Sequence, residues 1–202
     1  KSLHISHPGD VKFAAAELLS HLPPNLEILD FRSSPMGVVG STEAVSKIPR
    51  SLTQLSVTAL RLNPEELALL PPSITSLSLD SPGEGDDEGI PEEVHNEDEA
   101  MCASELPKHL LSLVLSGDIL CRSSFLLALP KSLTSLKLRG TTGLDDQVLM
   151  SVFLQFSCLQ HLKLSSTLIT DPFIASLPRS LTSLSLEPMT GVVDETHLSW
   201  NL

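Results

Sequence analysis

The stretch Ser132–Leu138, SLTSLKL, returns almost unchanged as Ser180–Leu186, SLTSLSL, and weaker versions occur six more times. Aligned on their central leucines (Leu3, Leu29, Leu55, Leu77, Leu113, Leu136, Leu162 and Leu184), the copies follow one another at 26, 26, 22, 36, 23, 26 and 22 residues. This period constrains the fold more than any other feature. A unit this short cannot bury an apolar face alone, so it must stack on its neighbours, and chain length then counts units instead of independent cores. All 202 residues are expected to form a single solenoid of about eight repeats. The chain opens inside a strand phrase and reaches Leu202 in what reads as the start of another unit, as expected for a segment of a longer protein.

Within each unit the punctuation is physical. Leu-Pro-x-Ser, as at Leu129–Ser132, ends the preceding helix, because proline disfavours the helical conformation in the residue before it. Related stops occur at Leu22-Pro23, Ile48-Pro49, Leu70-Pro71, Leu106-Pro107 and Leu177-Pro178. Helix starts are expected at Asp10, Asn63-Pro64 and Asp171-Pro172, where a capping side chain precedes the first turn. A longer helix is expected from about Asp146 to Phe156, burying Val148, Val152 and Phe156.

Strand, helix and strand in short alternation give parallel strands, so the fold class is α/β. Leu-x-x-Leu-x-Leu in nearly every unit resembles the leucine-rich-repeat family, and units of 22 to 26 residues are similar to its ribonuclease-inhibitor-like helical branch. Leu-Pro-x-Ser-Leu-Thr-x-Leu is also similar to the FNIP-type repeats of amoebal proteins, although their Phe-Asn element is absent. The resemblance implies a horseshoe with a concave parallel sheet and convex helices. The family's asparagine position is occupied by Ser34, Leu60, Pro82, Asp118, Thr141, Thr167 and Met189, so no asparagine ladder is expected.

The formal charge of −12 is concentrated in one place. Ten carboxylates and no Lys or Arg lie between Glu84 and Glu105, which leaves about −2 for everything else. The 36-residue step contains this run, and residues 81–96 are expected to form a solvated acidic loop, with a short helix resuming at Asn96–Cys102. No stripe of Lys and Arg with interleaved aromatics points to nucleic acid, and no apolar run approaches the roughly 20 residues of a membrane span.

Strand alternation places three positions per unit on the concave face. The first column reads Ser2, Ile28, Gln54, Ser76, Ser112, Ser135, His161, Ser183, and the second reads His4, Asp30, Ser56, Ser78, Val114, Lys137, Lys163, Ser185. The third reads Ser6, Arg32, Thr58, Asp80, Ser116, Arg139, Ser165, Glu187. Against this Ser-rich background Lys137, Arg139, His161 and Lys163 gather on two adjacent strands, as an anion-recognition patch for an acidic or phosphorylated peptide would require. Asp30 and Arg32 are the remaining charged candidates. Another basic column, Arg50, Lys108, Lys131 and Arg179, comes from the x of Leu-Pro-x-Ser and is expected to keep a rim soluble while its stems cover apolar surface. Phe13, Phe125, Phe153, Phe156 and Phe173 are expected in helices, Phe31 in the strand core, and Trp200 in the terminal unit.

No Gly-x-Ser-x-Gly, Walker loop or His-Glu-x-x-His motif is present, and the seven histidines are scattered. The expectation is a non-catalytic scaffold that binds a protein, with no cofactor and no metal. Two other readings are a substrate-recognition arm of an F-box-type ubiquitin ligase and a cell-surface structural or adhesion protein. Resemblance of fold also allows a GTPase-activating role, to which no residue is assigned. Cys102, Cys121 and Cys158 cannot all pair and no glycosylation sequon occurs, which favours a cytoplasmic over an extracellular setting.

Overall fold

A computed structural model describes residues 1–6, 19, 21–32, 38–39, 42–58, 60–62, 64–80, 103–116, 123–139, 146–165, 171–187 and 198–201. The expected features at Asp10, Phe13 and Asn63, the acidic loop at 81–96 and the helix at Asn96–Cys102 lie outside these residues.

Eight strands, one per unit, run parallel in a single open sheet. They are β1 (Ser2–Ser6), β2 (Ile28–Arg32), β4 (Gln54–Thr58), β6 (Ser76–Asp80), β7 (Ser112–Ser116), β8 (Ser135–Arg139), β9 (His161–Ser165) and β10 (Ser183–Glu187). They lie side by side in chain order. The register pairs each central leucine with the next, Leu3 with Leu29 through to Leu162 with Leu184, so the eight aligned phrases form one ladder. From Leu29 to Leu184 these leucines are buried, each contributing roughly 1.5–3 kcal/mol relative to exposure. Leu3, on the edge strand, is only partly covered.

Two elements depart from the repeat. Val38–Val39 (β3) and Leu60–Arg61 (β5) form a separate two-stranded parallel sheet that the leucine phrase does not announce. Beyond β10, Leu198–Asn201 (β11) runs antiparallel to it, with Trp200 opposite Leu184. The expected parallel start of another unit is therefore replaced by a returning strand.

Opposite the sheet lie short helices, α1 (Thr42–Ser46), α2 (Pro64–Ala68), α3 (Ser123–Leu127), α4 (Asp146–Phe153) and α5 (Asp171–Ala175), with a 3-10 turn at Ala103–Glu105. Each packs on a neighbour: α1 on α2, α2 on the 3-10 turn, α3 on α4 and α4 on α5. α4 ends at Phe153, short of the expected Phe156, and its buried residues are Leu149, Val152 and Phe153, with Phe156 just beyond. Val148 is only partly covered, because the true buried stripe follows i, i+3, i+4, i+7 from Leu149. Phe125, Phe153, Phe156, Phe173 and Phe31 are all buried. Phe153 lies edge-on to Phe173 at 5.7 Å and 6.1 Å from Phe156.

A hydroxyl ladder holds the strand entrances together. Ser51 Oγ donates to Leu26 O at 2.7 Å, Ser73 Oγ to Leu52 O at 2.7 Å, Ser132 Oγ to Leu110 O at 2.8 Å and Ser180 Oγ to Leu159 O at 2.7 Å. In four units a threonine, Thr53, Thr75, Thr134 or Thr182, adds a second rung. Glu27 O, for example, accepts from Thr53 N at 2.8 Å, Gln54 N at 3.1 Å and Thr53 Oγ1 at 3.0 Å. The Leu26, Leu52, Leu110 and Leu159 carbonyls lie just before their strands, and the serine hydroxyl of the following unit gives each of them a donor. The ladder skips two turns, where His109 and Cys158 occupy the serine position.

Candidate protein-binding face

The register places the predicted concave positions of all eight strands side by side in three columns. Lys137 on β8 pairs directly with Lys163 on β9, so two ammonium stems leave neighbouring strands about 4.8 Å apart. Val114 flanks the pair on β7 and Ser185 on β10, so no carboxylate occupies a register position beside either lysine. His161 lies between Ser135 and Ser183, and Arg139 lies beside Ser116 at the exit end of β8. His161 is exposed, whereas Lys137, Arg139 and Lys163 are partly buried against the sheet. These four predicted residues occupy one patch.

Asp30 and Arg32 do not join it. Both belong to β2, four strand steps from β8 and hence roughly 19 Å away. Asp30 instead faces His4 on the edge strand, with Oδ2 3.4 Å from His4 Nδ1. The Arg32 side chain lies outside the described residues.

The face is narrower than strand alternation suggests. Ser116 and Ser165 in the third column are 5% and 9% exposed. A hydroxymethyl group at the exit edge is too short to project past its neighbours, so on β7 and β9 only the first two columns are open. On β8 the longer Arg139 reaches the surface from the same column.

Among the described residues no group of three His, Cys, Asp or Glu side chains is arranged to hold a metal ion. His4 and His161 stand six strands apart, about 29 Å. Among the described residues no helix is long and apolar enough to cross a membrane. Cys158 is an exposed free thiol.

The residues that sequence reasoning missed are the ladder hydroxyls. Their signal is the Ser-Leu-Thr or Ser-Ile-Thr that follows Pro-x at 51–53, 73–75, 132–134 and 180–182.

Leucines in register, one strand per unit and helices stacked opposite define a leucine-rich-repeat α/β solenoid. Among solved structures, the chain is similar to the leucine-rich repeat-containing protein LegL7 from Legionella pneumophila at 22% identity, with a TM-score of 0.43. The similarity covers 91% of this chain and 71% of that one. No family model matches the chain, and no curated protein matches it.

Proposed function

We propose that this solenoid is a non-catalytic scaffold that binds a protein partner on its concave face, over β8 and β9. The observation that carries the reading is the register pairing of Lys137 with Lys163, joined by Arg139 and His161 on a surface made mostly of small hydroxyl side chains. Like charges directly opposite on a sheet cost stability, by up to about 1 kcal/mol. An acidic or phosphorylated segment laid across the strands would turn that cost into attraction. Arg139 supplies a planar fork suited to a carboxylate or phosphate, and the lysines act as point charges. The surrounding serines offer hydroxyls to a peptide backbone and little apolar area. Affinity from such a face is expected to be moderate and salt-sensitive.

The test is affinity capture from native extract, comparing the unaltered chain with Lys137→Glu/Arg139→Glu/Lys163→Glu and with the convex control Leu154→Glu. Leu154 is 75% exposed and lies on the opposite surface. Proteins retained by the control and lost by the triple variant are the expected result. Identical sets of captured proteins in all three samples would sink the proposal.

A further inference from the structure

The strand-entrance rim is a separate charged surface, and its chemistry differs from that of the concave face. Each Pro-x-Ser-Leu segment forms a tight turn in which the leucine or isoleucine N–H donates to the proline carbonyl. The distances are 3.0 Å for Leu52 to Pro49, 3.1 Å for Ile74 to Pro71 and Leu110 to Pro107, 3.3 Å for Leu133 to Pro130 and 3.0 Å for Leu181 to Pro178. The x side chain follows the proline at the outer corner of this turn. Every x lies four residues before its strand, so strands in register set the x positions at one level along the rim.

Four of these corners carry Arg50, Lys108, Lys131 and Arg179, all exposed. They stand at the entrances of β4, β7, β8 and β10, a row five strand steps long, or about 24 Å. Their backbones are held, since Ser73 Oγ donates to Arg50 O at 2.7 Å and Ser132 Oγ to Lys108 O at 3.2 Å. In a chain of net charge −12, the six turns spanning 48–53, 70–75, 106–111, 129–134, 156–160 and 177–182 contain no carboxylate. Glu105, just before the third of them, accepts from Ser104 Oγ at 3.2 Å. Among the described residues none of the four cations is in an ion pair.

We propose that this rim is a docking track for an extended acidic polypeptide segment of a partner protein. About seven residues of extended chain, at roughly 3.4 Å each, span the row. Long, mobile Lys and Arg side chains absorb the mismatch between strand spacing and peptide spacing. The described turns present no exposed aromatic ring on which a base could stack, which argues against single-stranded nucleic acid as the occupant. The inference stands independently of the concave-face reading, because it uses different residues on a different edge.

The experiment measures fluorescence anisotropy of labelled decaglutamate at low salt with the whole chain. Three proteins are compared: the unaltered chain, Arg50→Gln/Lys108→Gln/Lys131→Gln/Arg179→Gln, and the helix-side control Lys47→Gln, which removes a cation from neither charged surface. Binding is expected to weaken about tenfold in the rim variant and less than about twofold in the Lys47→Gln control. Circular dichroism confirms folding; if the quadruple variant fails to fold, Lys108→Gln/Lys131→Gln is expected to weaken binding about threefold. No binding of decaglutamate, binding unchanged in the rim variant, or an equal loss in the Lys47→Gln control would each overturn the proposal. Rim-dependent capture of phosphatidylserine vesicles without decaglutamate binding would overturn it too, in favour of a membrane surface.

Discussion

The first four strand-and-turn segments and the last four share one core and differ in charge. In residues 1–6, 22–32, 48–58 and 70–80 there are three Lys or Arg and three carboxylates. In residues 106–116, 129–139, 156–165 and 177–187 there are six Lys or Arg and one carboxylate, Glu187. Yet the central leucines from Leu29 to Leu184 are all buried and all in register across that divide. Inward positions are fixed by the need of each unit to pack on the next, so they hardly vary. Outward positions carry no such obligation, and a consistent bias there points to something outside the fold.

The helical side differs as well. Three residues before the end of each unit's helix-to-turn run, the amino half buries Val45 and Leu67, and the carboxyl half has Ala103, Leu126 and Ile174 and, in one unit, the aromatic Phe153. Phe153 also makes ring contacts with Phe156 and Phe173. Phe153→Ala is expected to cost about 3–5 kcal/mol and Leu67→Ala about 2–5 kcal/mol, with Phe153 the larger because ring contacts add to area. Equilibrium urea unfolding decides it. A larger loss at Leu67 would mean that the aromatic layer does not distinguish the halves.

The hydroxyl ladder provides a second comparison, since it runs from Ser51 to Ser73 in the amino half and is interrupted at His109 and Cys158 around the divide and beyond it. Ser51→Ala and Ser132→Ala are each expected to cost about 1 kcal/mol, because carbonyls served by the lost hydroxyl fall back on fewer donors. Cys158→Ser places a hydroxyl where a weak thiol donor stands. It should raise stability by about 0.5–1 kcal/mol if Leu133 O accepts it as Leu159 O accepts Ser180. A melting temperature unchanged by Cys158→Ser would show that the ladder is locally redundant.

Smaller still is the effect of the paired lysines on folding. Lys137→Glu converts a like-charge register pair into an opposite one and is expected to stabilise the chain by about 0.2–1 kcal/mol. The gain should shrink as salt rises, since surface charge is screened within about 10 Å at 0.1 M. Loss of stability instead would show that the Lys137 stem contributes packing that outweighs its charge.

How much of this was legible in the sequence depended on whether a residue's role was set by its own unit. The leucine period gave strand positions, register and columns, because a packed repeat allows one solution. It therefore also gave the grouping of Lys137, Arg139, His161 and Lys163. It did not give β11, whose direction depends on how a single strand meets the last edge, nor the β3 and β5 pair, which is two residues deep. The burial of Ser116 and Ser165 was hidden for a related reason: alternation assigns a face, but exposure at a sheet's exit edge depends on side-chain reach. Asp30 and Arg32 are candidates by charge alone, and strand order sets them four strands from the patch.

The smallest expected effect belongs to the amino half, where Glu43 and Lys47 face each other one turn apart on α1 and just beyond its end. Lys47 Nζ lies 2.7 Å from Glu43 Oε1. The hydrogen bond from Lys47, and after it the lysine's charge, holds the Glu43 carboxyl below the usual carboxylate range. A lowered carboxyl pKa means that the folded state favours the ionised form. Whatever the pair contributes is therefore present above the ordinary carboxylate pKa and lost as pH falls through the lowered one. Because Glu43 is fully exposed, the contribution to unfolding is expected to be too small to see, and the titration itself is the readout. In Lys47→Gln the Glu43 carboxyl carbon, followed by NMR, should titrate at higher pH than in the unaltered chain. An unchanged midpoint would show that the contact is not maintained in solution. The strand-and-turn segments of the carboxyl half hold only Glu187 as a carboxylate, so they should respond far less in this acid range.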